Sequence, residues 1–186
     1  MSNRNHIYLT TLLLFLLLLS SCGKREDQNG MINSETEVIP EQESWNSEIT
    51  LTSSGKRIAL VRSGHMAQFG KKKLILLDDK VEIDFYDSEE NHTSLLTAEF
   101  GEINERTKNL KATGNVVVVS DSGETLYTEE LFWNNKEQKI ISEVAVMITI
   151  GTDTLYGIGF ESDAGLDNWT IKEPKGRTSR LVEIDE

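Results

Sequence analysis

Behind a short hydrophobic leader, this sequence predicts an all-β domain of antiparallel strands. Three observations carry that reading: apolar and polar residues alternate with period two, polar or glycine-bearing turns recur at short intervals, and nothing beyond the leader repeats with helical spacing.

The elements follow in chain order. Residues 1–21 read as a lipoprotein signal peptide, with Arg4 ahead of an apolar run from Ile7 to Leu19 that Ser20-Ser21-Cys22 closes. A spanning helix needs about 20 apolar residues, so this shorter run predicts export and cleavage. Cys22, the only cysteine in the chain, then becomes the first mature residue and the lipid anchor to a membrane. Residues 22–48 read as a flexible acidic tether, because Glu26, Asp27, Glu35, Glu37, Glu41, Glu43 and Glu48 face only Lys24 and Arg25 among sparse apolar residues. Such a segment buries too little surface to offset its ordering entropy.

The domain itself is expected over 49–176, with 177–186 as a tail whose Leu181-Val182-Glu183-Ile184 is a candidate edge strand. The clearest strands are Val81 to Tyr86, where Val81, Ile83 and Phe85 share a face, and Val144 to Ile150, where Val144, Val146, Ile148 and Ile150 do. Val116 to Val119 is a continuous β-branched run. Shorter candidates are Ile49–Thr52, Lys56–Val61, Met66–Phe69, Lys73–Leu77, Leu95–Phe100, Asn109–Thr113, Thr125–Thr128, Leu131–Trp133, Lys139–Ser142, Thr154–Gly157 and Trp169–Lys172. Ser53-Ser54-Gly55, Asp78-Asp79, Asp121-Ser122-Gly123, Asn134-Asn135 and Gly151-Thr152-Asp153 supply hairpin turns. Glu124 to Lys136 is compatible with a helix through Leu126, Glu130 and Trp133, but strand is the better reading. Ser94-Leu95-Leu96-Thr97 recurs 31 residues later as Thr125-Leu126-Tyr127-Thr128, and Thr154-Leu155-Tyr156 follows 29 residues on. That period predicts a repeated unit of two or more strands.

Composition excludes several functions. The formal charge is −12, and −13 once Arg4 leaves with the leader, so the electrostatic footprint of nucleic-acid binding is missing. Lys71-Lys72-Lys73 reads as a solvated turn. His65 and His92 have no partners at metal-ligand spacing, so neither metal nor cofactor is expected, and both are placed in loops or at strand ends. Gly157-Ile158-Gly159 lacks the third glycine and following helix of a dinucleotide fingerprint; a bulge or close strand crossing explains it. Glu161 with Asp163 is the only carboxylate pair worth weighing as acid and base, and nothing singles it out. Trp133 and Trp169 suit buried or edge-strand packing better than sugar stacking. No catalytic residue is assigned. No phosphate-binding loop is present either, so the chain supplies no energy of its own.

Three segments together resemble the LptC family, membrane-anchored periplasmic components of the lipopolysaccharide transport bridge. They are Thr113-Gly114-Asn115-Val116-Val117-Val118, Leu126-Tyr127-Thr128-Glu129, and Leu155-Tyr156-Gly157-Ile158-Gly159-Phe160-Glu161-Ser162-Asp163. The tail is the most specific part, with Gly157, Gly159, Phe160, Asp163, Trp169, Pro174 and Gly176 at the family's intervals. Anchoring through Cys22, where many members use an uncleaved helix, is similar to the lipoprotein variant of Bacteroidetes-type bacteria. The resemblance implies an open V-shaped β-jellyroll of the LptA/LptC/OstA-like kind, with an apolar trough for the acyl chains of lipopolysaccharide. Val81, Ile83, Phe85, Val116, Val118, Val144, Val146 and Ile148 are its candidate lining; a closed core is the alternative. The resemblance also implies partner edges, with Ile49, Leu51, Ile58 and Leu60 toward an inner-membrane ABC transporter, and Trp169 and Ile171 toward the next periplasmic bridge protein. The expected function is a non-enzymatic relay of lipopolysaccharide, held at the periplasmic side of a membrane, with inner-membrane placement implied by the transporter. A structural or adhesive lipoprotein and a carbohydrate hydrolase are the competing classes.

Overall fold

The computed structural model describes residues 39–175, and every regular element in them is a strand. These are β1 (Gln42–Ser53), β2 (Lys56–Phe69), β3 (Leu74–Asp78), β4 (Val81–Tyr86), β5 (His92–Ala98), β6 (Phe100–Asn104), β7 (Leu110–Ser120), β8 (Thr125–Asn134), β9 (Lys139–Ile150), β10 (Asp153–Ser162) and β11 (Thr170–Lys175). All pairings are antiparallel, as short polar turns between successive strands require.

The topology reduces to a meander once two pairs of short strands are joined. The front half of β2 pairs with β4 and its rear half with β3; β4 pairs with β5, and β3 with β6. In turn β5 lies on the rear half of β7, and β6 on its front half. Hence β3–β4 is one bent strand and β5–β6 another, and sequence neighbours lie side by side from β1 to β11.

The bends are aligned. Opposite Asn46 of β1 (φ 51°), the Gly64 N–H of β2 donates to the Asp79 carbonyl at 2.6 Å, and Asp79 and Lys80 turn β3 into β4 with φ of 55° and 65°. A side chain at Gly64 would strike Asp79. Next, the Glu99 N–H between β5 and β6 donates to the Gly114 carbonyl at 3.0 Å, where Gly114 and Asn115 (φ 79° and 45°) bulge β7. Pairing then slips between Thr128 and Phe132 of β8, and between Ile158 and Phe160 of β10 around Gly159. A bulge bends its strand, and a row of bulges folds the sheet along a crease. Two legs result. The first contains β4, β5, the front of β2, β8 and β10, and the rear of β1, β7 and β9; the second contains the remaining halves with β3 and β6, while β11 runs along both halves of β10.

The core lies between the legs. Phe85 of β4 meets Trp133 of β8 with ring centroids 5.0 Å apart, although β5 and β7 separate these strands within the sheet. The contact therefore crosses the interior.

Several expectations are corrected. Lys56–Val61 with Met66–Phe69, Asn109–Thr113 with Val116–Val119, Thr125–Thr128 with Leu131–Trp133, and Lys139–Ser142 with Val144–Ile150 are not separate strands but the two halves of β2, β7, β8 and β9. The interruptions in periodicity mark bulges, not turns. Leu95–Phe100 divides at Glu99. β1 begins at Gln42, inside the segment read as tether, because main-chain pairing from Gln42↔Gln68 onward holds it without apolar content. His65 lies within β2, not at a strand end, whereas His92 opens β5. The ambiguous window at Glu124–Lys136 is β8, and Lys71–Lys73 form the β2–β3 turn. The period near 30 corresponds to two bent strands, slipped by one residue in β5, where Leu96 and not Leu95 is buried like Leu126.

Candidate functional site

Cross-strand register turns single inward residues into continuous apolar rows. On the first leg the row runs Ile49–Val61–Ile83–Leu96–Val118–Leu126–Ile148–Leu155, from β1 to β10. The second leg carries Ile75–Ile103–Leu110–Trp133–Ile140 and, nearer the crease, Leu77–Gly101–Ala112–Leu131. Each residue in a row faces its neighbour about 5 Å away, so the apolar track crosses the strands.

Of the predicted lining, Val81, Ile83, Phe85, Val116, Val118, Val146 and Ile148 are buried in one cluster. Phe85 packs on Trp133 of the other leg, and buried side chains of both legs fill the interior as one cluster. Val144 departs from the expectation: it is 37% exposed, because it sits where β8–β9 pairing jumps from Thr128↔Val146 to Phe132↔Ile141 and no facing residue covers it. At the far end of the first row Leu155 is 41% exposed. The inward Thr128 Oγ1 donates to the Ala145 carbonyl at 3.0 Å with Ser142 Oγ 3.1 Å away, whereas the buried Ser63 Oγ has no partner among the described residues.

Opposite the crease, a strap closes the mouth. Residues 163–169 leave β10 on the second leg and reach β5 of the first, where Ser94 Oγ donates to the Ala164 carbonyl at 2.5 Å. Leu166, at φ 60°, is driven into the core. The Asp163 carboxylate organises the turn by accepting from the Asp167 N–H at 2.9 Å and Asn168 Nδ2 at 2.7 Å. Trp169 then stacks on Phe160, centroids 6.4 Å apart at 15°. Sequence reasoning had missed the strap; its signal was a lone Leu166 among Asp163, Gly165, Asp167 and Asn168.

The strap joins the pieces of the tail motif. Gly157 is required because Ile171 of β11 lies where its side chain would be, and Gly159 (φ 75°) forms the β10 bulge. Pro174 sits on β11, an edge strand where a missing N–H is tolerated. Gly176, Cys22 and the candidate strand Leu181–Ile184 lie outside the described residues. Of the predicted edges, Ile49 and Leu51 are on β1 and Ile171 is on β11, the two strands paired on one side only among the described residues. Ile58 and Leu60 are not edge residues, because β2 is paired on both sides by β1 and β4. Trp169 precedes β11 and turns inward.

On the outer face β2, β4 and β5 carry a polar network, while Val117, Tyr127, Met147 and Tyr156 form an outward row farther along the sheet. Arg62 pairs with Asp84 at 2.7 Å and Glu82 at 3.3 Å, while His92 bridges Asp84 at 3.2 Å and Asp121 at 2.9 Å. Burial pulls the Arg62 pKa down, but the two carboxylates outweigh it and the net shift is upward. Hydrogen bonding to Asp78 lifts His65 above the ordinary imidazole value, despite partial desolvation. Glu161 is held below the carboxylate range by its ion pair with Lys139, and Asp163 is spent on the strap, so the two do not form an acid–base pair. Among the described residues no group of three or more His, Cys, Asp or Glu is arranged to hold a metal ion.

An antiparallel meander creased into two apolar-faced legs defines a β-jellyroll. The family model for lipopolysaccharide-assembly, LptC-related proteins matches residues 9–176, and the chain belongs to that family. Its role therefore lies in lipopolysaccharide transport, among periplasmic, membrane-associated bridge components. No match was found among the curated proteins. No helix among the described residues is long and apolar enough to cross a membrane.

Proposed function

We propose that this chain is a non-enzymatic relay that accepts lipopolysaccharide from an inner-membrane ABC transporter and passes its acyl chains between the two legs to the next periplasmic bridge protein. A lipid on Cys22 and the segment after it hold the domain at the periplasmic face of the inner membrane. The observation that carries the reading is the unbroken run of inward apolar residues from edge strand β1 across to β10, next to edge strand β11. Because the interior is filled, passage requires the legs to part about the crease and the strap to release. Acyl methylenes, each worth roughly 0.8 kcal/mol on leaving water, then replace side chains of the opposite leg. The free backbone groups of β1 and β11 add strands from neighbouring jellyrolls and carry the track onward.

Photo-crosslinkers placed at Phe85, Val146 and Ile148 in cells test this. Lipopolysaccharide adducts are expected at these positions and not at the outward Glu82 or Thr97. Adducts on outward residues alone would establish a closed core and end the relay reading.

A further inference from the structure

Among the described residues two inward polar atoms have no hydrogen-bond partner, Ser63 Oγ and Trp133 Nε1, and only the second belongs to a residue that spans the two legs. Trp133 is 2% exposed. Other inward polar groups nearby are provided for, Thr128 by Ala145 and Ser94 by Ala164. Trp133 also occupies a distinctive place: it lies in the outer row of the second leg and touches Phe85 of the first leg across the interior. Any acyl chain entering between the legs must separate these two rings.

We propose that Trp133 is a specificity-determining residue whose Nε1–H takes a neutral oxygen acceptor carried on a fatty acyl chain. This rests on the relay reading above. Indole nitrogen is a donor only, so its complement is an acceptor. A buried donor left unmet strongly favours any ligand that brings that acceptor, and disfavours one that does not. The phosphates of a lipid headgroup are poor candidates, since an unpaired charge is strongly opposed in a site walled by Phe85 and aliphatic side chains. What fits is uncharged and attached to hydrocarbon: the carbonyl of an ester or amide linkage, or a chain hydroxyl. Trp133 thereby sets the depth at which an acyl chain seats, with its linkage oxygen at the indole and its methylenes along the rows beyond.

The test uses the purified full chain, its three tryptophans labelled with nitrogen-15, and Trp133→Phe to assign the signal. With lipid A, the Trp133 indole proton should move downfield; with dodecane, which offers no acceptor, it should not. Lipid A bearing only non-hydroxylated chains separates carbonyl from hydroxyl recognition: retention of the shift assigns the carbonyl, and its loss assigns the hydroxyl. Trp133→Phe should raise the half-saturating lipid A concentration about five- to tenfold, the scale of one hydrogen bond, and leave dodecane binding unchanged. If Trp133→Phe does not fold, the benzothienyl isostere at position 133 removes the N–H alone and carries the same expectation. An indole proton that stays put while lipid A saturates the chain, or equal affinity in the variant, overturns this proposal and leaves the relay intact. Failure of the parent chain to bind lipid A overturns both.

Discussion

At Gly157 a single hydrogen atom decides whether the last strand can dock. A methyl group there would lie 2.1 Å from Ile171 Cγ2 and 2.7 Å from the Glu173 carbonyl, whereas one at Gly123 would meet nothing. Gly157→Ala should therefore destabilise the domain by about 1–3 kcal/mol through overpacking and detach β11, seen as lost amide protection from Thr170 to Lys175. Gly123→Ala strains only its own turn, φ 105°, and should leave β11 protection unchanged. Equal protection of β11 in both variants would show that Gly157 does not set the crossing. Residue-level inference worked where burial is one-sided, as at Val81, Ile83 and Phe85, because period two then has one solution. Val144 escaped it: alternation assumes continuous pairing, and a bulge at its own position breaks that assumption.

For the elements, the least secure attachment is the front half of β1. Its inner row begins only at Ile49, and from Gln42 to Ser47 it is held by main-chain pairing and by His65 of β2, whose ring lies between Glu43 of β1 and Asp78 of β3. Trp45 covers that ring, centroids 5.4 Å apart. Hydrogen bonding to Asp78 raises the folded-state pKa of His65 above its ordinary value, with Glu43 adding to the effect. A raised pKa means protonated His65 favours the docked strand. That contribution is complete below the ordinary imidazole value, about 6.5, and is lost as pH rises through the raised one. Amide protection over Glu43–Ser47, corrected for intrinsic exchange, should fall as pH rises above about 6.5. His65→Gln should remove that pH dependence; its persistence in the variant would exclude His65 as the cause. This front half was not legible in the sequence, although Ile49–Thr52 was, since a run with Glu41, Glu43 and Glu48 has the composition of a linker and only a neighbouring edge makes it a strand.

At the scale of the whole molecule, the proposed relay requires the crease to open and the strap to release. On that reading the line of bulges is the hinge, and the Ser94–Ala164 hydrogen bond is the latch across its mouth. A disulfide between Ser94→Cys and Ala164→Cys should hold the latch shut. Under oxidising conditions lipopolysaccharide adducts at Ile148 are expected to vanish, and reduction should restore them. Undiminished adducts in the locked form would mean that lipid enters without releasing the strap.

Period-two patterning and turn chemistry by themselves determined that this chain is an antiparallel meander with one apolar face, because both are local and repeat along every strand. The tail glycines and Asp163 likewise marked a family before any coordinate was known. Only tertiary structure decided that paired short strands are continuous and creased, that Phe85 meets Trp133 across a filled interior, and that Leu166 plugs the mouth. The reason is physical: those outcomes depend on contacts between residues far apart in sequence, and a bulge, an edge and a strap acquire their meaning from the strand that lies opposite.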